Sequence, residues 1–417
     1  MIKQIISRLW ADSLYRNSFW LMAGSFSMAG IGFFYWIIAA RLYTPEQIGL
    51  ATTFLSAASL ISSLAMLGFG TTLIRYLPTS EVKEKKINTA FTVVALASLV
   101  IGLIYLTGLS YWTPKLLFIR SSIPLMILML LFFPINTING ITDSVFTALR
   151  QAHWVFVSNV TQSLTKLVAL VLFASLGVWG VIGSNMVAVL VATALCLALI
   201  ITRFNIHIYP QIDNKVIALV RKFSFGNYLS GLISSLPWMI LPILITNKVS
   251  PMQTAYIYIP NLIASLIGVI PATMARSYLS ESSNNDAPIS MKKPLLATYA
   301  ILFPSTVLIV VFGKVILSAF GKNYAIEGYY YLNLLTISIL ISSLNYFLGS
   351  RFLVIKKTLI TVVCNIIGAA ILITYTINFA SRGVGYIGFG AIIYNLSSTL
   401  MYITAWYYYK LDHNLRV

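Results

Sequence analysis

Twelve apolar stretches separated by short polar loops constrain this sequence more than any other feature. A bilayer with a hydrocarbon core about 30 Å thick is crossed by about 20 helical residues. Only helices and closed barrels satisfy their backbone polar groups in such a medium. We therefore predict an all-α integral membrane protein with twelve transmembrane helices. The predicted spans cover residues 17–40, 49–74, 88–109, 121–149, 154–176, 178–202, 226–247, 253–275, 295–313, 328–349, 358–380 and 384–408.

The composition agrees with a membrane solvent. The mean hydropathy is +0.87 and 9% of the residues are charged, whereas soluble domains carry about 25%. The net charge of +18 raises the alternative of nucleic-acid binding. The basic residues are, however, scattered among the loops between the spans and do not form one module. We therefore expect the lipid bilayer, and no nucleic acid, as a partner.

No cluster of catalytic or metal-binding residues is visible in the sequence. Cys196 and Cys364 both fall inside predicted spans, which argues against a disulfide framework or a metal knuckle. The three histidines, His153, His207 and His413, lie in separate loops or tails. We therefore predict that the protein is not an enzyme and needs no metal or cofactor.

The segment 16–49 is repeated later in the chain. Four of its residues recur at an offset of 206 positions: Ser18 and Ser224, Thr44 and Ser250, Pro45 and Pro251, Gln47 and Gln253. Several matches at one offset indicate a duplicated architecture. We predict two pseudo-symmetric six-helix bundles, formed by residues 1–210 and 211–417.

An amphipathic helix is predicted before each bundle. Within residues 1–15, apolar side chains recur at every fourth position, and the same stripe returns at Ile212, Val216 and Val220. This spacing places the apolar side chains on one face of a helix, which is typical of a helix lying in the membrane interface.

The charges of the loops predict the orientation. Of the 28 lysines and arginines, 20 lie on the side of the amino terminus, 7 lie on the other side, and Lys166 lies inside a span. By the positive-inside rule, both termini are expected in the cytoplasm. Because each half has an even number of spans, the halves should insert the same way up, related by a twofold axis along the membrane normal.

Polar residues inside the fourth and fifth spans form two stripes. The candidates for a binding site there are Asn136, Asn139, Asp143, Asn159, Gln162 and Lys166. Since charges in hydrocarbon are costly, they usually face a partner or a cavity. Because the two spans form a hairpin, Asp143 and Lys166 are expected to share one environment. Two interpretations remain open: a charge pair that holds the helices together, or a site for substrate or protons.

Two arginines end corresponding spans. Arg75 and Arg276 lie at the inner ends of the second and eighth spans, and Arg41 and Lys248 lie at the outer ends of the first and seventh. The arginines are either topological anchors or a site that captures phosphate, which guanidinium binds through two parallel hydrogen bonds.

Three motifs carry a resemblance to a known family. They are Asn17-Ser18-Phe19-Trp20, the run from Ala40 to Gly49, and Leu67-Gly68-Phe69-Gly70-Thr71-Thr72-Leu73-Ile74-Arg75-Tyr76-Leu77-Pro78. Together with the twelve-span layout, they resemble the polysaccharide or oligosaccharide flippases that export O-antigen repeat units. These flippases are a branch of the multidrug/oligosaccharidyl-lipid/polysaccharide superfamily. The seventh span departs from many relatives because it has no acidic residue between Leu232 and Ile245.

The resemblance implies a flippase that moves polyprenyl-pyrophosphate-linked oligosaccharides across the cytoplasmic (inner) membrane by alternating access. It implies a lipid-linked oligosaccharide as substrate, and a polysaccharide polymerase and a chain-length regulator as partners. A cation-coupled multidrug exporter would need more buried acids than Asp143. A glycan polymerase or ligase would need a large outer loop with acid–base groups, and the outer loops here are short.

Overall fold

The computed structural model describes residues 13–284, 290–355 and 357–414. This part of the chain is 90% helical and contains no strand. The α-helices are α1 (Ser13–Leu42), α2 (Pro45–Ala65), α3 (Phe69–Tyr76), α4 (Lys83–Thr107), α5 (Leu109–Trp112), α6 (Ile123–Ala148), α7 (Ala152–Leu172), α8 (Val178–Phe204), α9 (Asn214–Phe223), α10 (Phe225–Lys248), α11 (Pro251–Asn284), α12 (Lys292–Ser318), α13 (Lys322–Glu327), α14 (Tyr329–Val354), α15 (Thr358–Phe379) and α16 (Val384–Asn414).

Twelve of these helices are long and apolar enough to cross a membrane, within the residues that the structure describes. They are α1, α2, α4, α6, α7, α8, α10, α11, α12, α14, α15 and α16. This confirms the predicted all-α fold with twelve spans. Large apolar side chains are exposed on their surfaces, for example Ile123 at 73% and Leu172 at 72%. In a bilayer these side chains contact lipid tails instead of water.

The chain forms two compact units, unit 1 (Met1–Leu232) and unit 2 (Ile233–Val417). Six membrane helices lie wholly in unit 1, and α10 begins in unit 1 and continues into unit 2. The sequence prediction instead places the boundary between residues 210 and 211.

The amphipathic segment before α10 forms helix α9, but its apolar stripe is not directed at lipid. Val216 and Val220 are both 5% exposed and belong to the hydrophobic core of unit 1, with Phe69 and Ile87 among their cluster. Unit 1 therefore covers Val216 and Val220, whereas Ile212, the first residue of the stripe, precedes α9 and is 55% exposed. The matching segment at the amino terminus falls almost entirely outside the described residues.

The second span is not the single helix predicted over residues 49–74. It breaks between α2 and α3, where Leu67 and Gly68 both adopt positive φ angles, of 49° and 89°. The break leaves carbonyl groups of α2 without helical partners. The hydroxyl of Tyr228 in α10 donates to two of them, the carbonyls of Ser63 and Leu64, at 2.9 Å each. A hydrogen bond from outside the helix thus satisfies part of the broken backbone.

The repeated motif builds the same helix start twice. The backbone N–H of Gln47 donates to the side chain of Thr44 at 3.3 Å, and that of Gln253 donates to Ser250 at 3.2 Å. In each case a proline occupies the next position and begins the helix, where its missing N–H costs nothing. The repeat therefore encodes a helix N-cap in each unit.

Candidate functional site

Cations and aromatic rings gather at the end of α3 in unit 1. The guanidinium of Arg75 lies 5.4 Å from the ring centroid of Tyr76 and 5.6 Å from that of Phe223. The ammonium of Lys222 also lies 5.6 Å from the Phe223 ring, and Lys86 donates to the carbonyl of Tyr76 at 2.9 Å. We call these five residues the basic–aromatic patch. Helix α9 delivers Lys222 and Phe223 to it because its apolar face is anchored in the core.

The patch concentrates positive charge without an internal counter-ion. Among the described residues, none of its three cations forms an ion pair with a carboxylate. Arg75 is exposed and keeps its guanidinium donors available beside the rings. Stacking on an aromatic face leaves the edge of a guanidinium free to bind a phosphate through two parallel hydrogen bonds. The patch can therefore bind a phosphate or diphosphate group.

A second cationic group lies deeper in unit 1. The ammonium of Lys166 in α7 lies 4.4 Å from the ring centroid of Tyr35 in α1. The Tyr35 hydroxyl is 3.0 Å from Ser184 Oγ and accepts a hydrogen bond from Asn185 Nδ2 at 2.9 Å, both in α8. The face of the aromatic ring thus supports the ammonium, and the polar edge of the same ring holds α1 to α8.

Of the two interpretations left open for Asp143 and Lys166, the charge pair is not present among the described residues. Asp143 lies five residues before the end of α6, and Lys166 lies fourteen residues after the start of α7. At 1.5 Å per residue their depths from the shared turn are about 7 Å and about 21 Å. Within the described residues neither forms an ion pair. The hairpin therefore places the two charges at different levels of the membrane.

The amides of the α6 stripe have different surroundings. Asn136 donates to Ser62 Oγ in α2 at 2.8 Å, which holds the two helices together. The Nδ2 atom of Asn139 is buried and has no hydrogen-bond partner. Buried amide donors are rarely left unsatisfied. Asn139 is therefore the residue of this stripe whose amide N–H groups are available to donate to a ligand.

The amides of α7 lie along the side of the helix that also carries Lys166. Asn159 Nδ2 approaches α1 closely, since a Cβ atom at Gly24 would lie 3.3 Å from it. Gln162, one turn before Lys166, is half-buried. The predicted stripe on α7 therefore faces α1 for at least part of its length.

The remaining predicted cations are exposed. Arg276 lies in α11, three residues before the end of the eighth span. Arg41 and Lys248 occupy the last turns of α1 and α10. Arg276 and Lys248 belong to unit 2, and Arg75 and Arg41 belong to unit 1.

The aromatic and amide partners of these cations were not predicted from the sequence. Phe223 lies within the second copy of the repeated segment but is not one of its recurring residues. Tyr35 lies in an otherwise apolar span. Asn185, a polar residue inside the sixth span, is the one signal that could have located the Lys166 cluster. Within the described chain, no group of three or more His, Cys, Asp or Glu side chains is placed to hold a metal ion.

Comparisons with known proteins identify a family and a fold. A family model described as polysaccharide biosynthesis protein matches residues 14–265. No curated protein matches the chain. Among solved structures, the chain is similar to the lipid II flippase MurJ in an inward closed conformation, with a TM-score of 0.73 and 14% identity, covering 92% of this chain and 87% of that one.

Two further solved structures share the fold. An inward-facing multidrug resistance MATE family transporter of the MOP superfamily gives a TM-score of 0.64 at 14% identity, covering 91% of this chain and 94% of that one. A MOP superfamily transporter from Pyrococcus furiosus gives 0.58 at 14% identity, covering 94% of both chains.

Proposed function

Because the chain belongs to the polysaccharide biosynthesis protein family, whose model matches residues 14–265, we propose that it translocates polyprenyl-pyrophosphate-linked oligosaccharide repeat units across the cytoplasmic membrane by alternating access. With both termini in the cytoplasm, as the distribution of basic residues favours, the basic–aromatic patch lies at the cytoplasmic surface. We also propose a polysaccharide polymerase and a chain-length regulator as partners on the product side.

The observation that carries this proposal is the basic–aromatic patch. A diphosphate cannot cross hydrocarbon about 30 Å thick without compensation of its charge. Arg75, Lys86 and Lys222 provide that compensation at one end of unit 1 and are not neutralised by carboxylates of the described chain. Lys166, inside membrane helix α7 of the same unit, is a further cation, and the ring of Tyr35 supports its ammonium instead of an acid.

A first experiment tests the function. Deleting the gene should leave lipid-linked oligosaccharide on the cytoplasmic leaflet, measured in the extracted lipid fraction by mass spectrometry and by accessibility to an added glycosidase. The intact gene should restore export. An unchanged lipid pool in the deletion strain would overturn the proposal.

A second experiment tests the site. Arg75→Lys keeps the positive charge that sets the topology but loses the planar guanidinium, which can donate two parallel hydrogen bonds to one phosphate. A hydrogen bond to a charged group contributes about 1.5–3 kcal/mol, so we expect substrate affinity to fall about 10–100-fold. The matched control is Arg203→Lys, in the last turn of α8 at the same end of unit 1, and it should leave substrate affinity and export unchanged. Wild-type export by Arg75→Lys would show that this arginine is only an anchor.

The second candidate function is export of cationic drugs coupled to protons or sodium. Its specific support is Asp143, a half-buried carboxylate inside α6 that forms no ion pair among the described residues. Drug resistance lost in Asp143→Asn, with no change in the lipid-linked oligosaccharide pool, would favour this function over the first.

A further inference from the structure

An aromatic row runs across the membrane helices of unit 2. Trp238 in α10 and Tyr394 in α16 meet edge to face, with ring centroids 6.5 Å apart. Tyr346 in α14 follows Asn345, whose side chain donates to the backbone carbonyl of Asn395, the residue after Tyr394. Three helices of the same unit therefore contribute one ring each.

The row lies too deep for an interfacial belt. Trp238 is ten residues from the end of α10, Tyr346 is eight from the end of α14, and Tyr394 is ten from the start of α16. These separations correspond to about 12–15 Å along the helices. Aromatic belts, in contrast, lie at the level of the headgroups. The positions of the rings therefore need another explanation.

The rings are accessible and have polar neighbours. Trp238 is 40% exposed and Tyr346 is 47% exposed on the surface of unit 2. Nearby, Asn365 in α15 donates to Ser234 in α10 at 2.8 Å, on an exposed part of both helices. Amide and hydroxyl groups at this depth are costly against lipid and usually mark a substrate pathway.

The packing beneath the row holds its rings in place. Asn345, next to Tyr346, donates to the carbonyl of Asn395 at 3.0 Å and so joins α14 to α16 beside both tyrosines. Tyr394 lies against Gly368 in α15, where an added Cβ would approach its ring to 2.8 Å. A ring fixed by its own neighbours loses little entropy when a ligand stacks on it.

We propose that this row binds the saccharide part of the transported lipid. Sugar rings present apolar C–H faces that pack on aromatic rings, and their hydroxyls need a few well-placed polar partners, the combination typical of small-molecule sites. Asn365 and Ser234 are the polar partners here, and Trp238 and Tyr346 are the exposed stacking surfaces. The inference rests on the proposed function, and it assigns sugar recognition to residues of unit 2.

The test compares two probes on the purified full chain in detergent micelles. One is a short-chain prenyl diphosphate carrying an N-acetylhexosamine disaccharide, and the other is the same prenyl diphosphate without sugar. Isothermal titration calorimetry measures the Kd of each. We expect the sugar to improve wild-type affinity about tenfold, the scale of one or two aromatic contacts.

Variants locate the contribution of the sugar. Trp238→Leu should remove the preference for the sugar-bearing probe and leave the Kd of the bare diphosphate unchanged, while Trp238→Phe should keep part of the preference. Phe303→Leu, at a 62% exposed aromatic position on α12, is the control and should change neither Kd. If Trp238→Leu does not give a monodisperse protein, Tyr346→Leu carries the same test.

The outcomes separate the two proposals. A wild-type protein that binds both probes equally, or a sugar preference that survives both Trp238→Leu and Tyr346→Leu, overturns the saccharide site while leaving the diphosphate site standing. If neither probe binds wild type, the proposed function fails and the saccharide site fails with it.

Discussion

Gly68 at the break between α2 and α3 offers the sharpest test of the structure. Its φ angle of 89° lies in the left-handed region, which an alanine adopts at a cost of about 1–2 kcal/mol. An added Cβ would also lie 3.2 Å from the Cβ atoms of Ser224 and Tyr228. Gly68→Ala therefore combines backbone strain with crowding.

The crowding is not easily relieved, because hydrogen bonds hold both neighbours. Thr72 Oγ1 donates to Ser224 Oγ at 2.6 Å, and the Tyr228 hydroxyl donates to the carbonyls of Ser63 and Leu64. Overpacking of this kind costs about 1–3 kcal/mol. Added to the backbone term, it gives an expected loss of about 2–5 kcal/mol in the free energy of unfolding.

The control is Gly231→Ala in α10, where an added Cβ meets nothing within 4 Å. That substitution should be neutral or stabilise by about 0.5–1 kcal/mol, because glycine is unfavourable inside a helix. Both variants are unfolded by SDS titration in detergent micelles and followed by circular dichroism. A Gly68→Ala protein as stable as Gly231→Ala would refute the positive φ angle at residue 68 and the packing derived from it.

Two further predictions follow from the hydrogen bonds and charges. Because Asp143 and Lys166 lie at different depths, the effects of Asp143→Asn and Lys166→Met on unfolding should add within about 0.5 kcal/mol; a coupling larger than about 1 kcal/mol in the double variant would restore the charge pair. At the repeated N-caps, Gln47→Leu should cost about 1 kcal/mol because Gln47 Oε1 accepts from the Thr44 N–H at 3.0 Å. Gln253→Leu should be neutral or stabilising, because Gln253 Oε1 is buried without a partner. Equal losses at the two glutamines in the same SDS assay would contradict this difference.

The sequence alone determined the membrane character, the number of spans and the repeated helix starts. Each of these depends on local chemistry: about 20 apolar residues for a span, and a hydroxyl with a following proline for an N-cap. The depth difference between Asp143 and Lys166 was also available from the sequence, since it follows from the rise per residue along a hairpin.

Contacts between distant segments were decided by the tertiary structure. The break at Leu67 and Gly68 depends on Tyr228, about 160 residues later, whose hydroxyl satisfies the freed carbonyls. The sequence predicts an apolar stripe on α9, but only the fold shows that the core of unit 1 covers Val216 and Val220. The aromatic partners of the cations depend on packing in the same way. Nothing in the sequence indicates that Phe223 lies beside Arg75 or that Tyr35 lies beside Lys166, and only the fold brings each ring to its cation. An amphipathic pattern or an isolated charge specifies that a partner is needed, and only the folded chain specifies which partner supplies it.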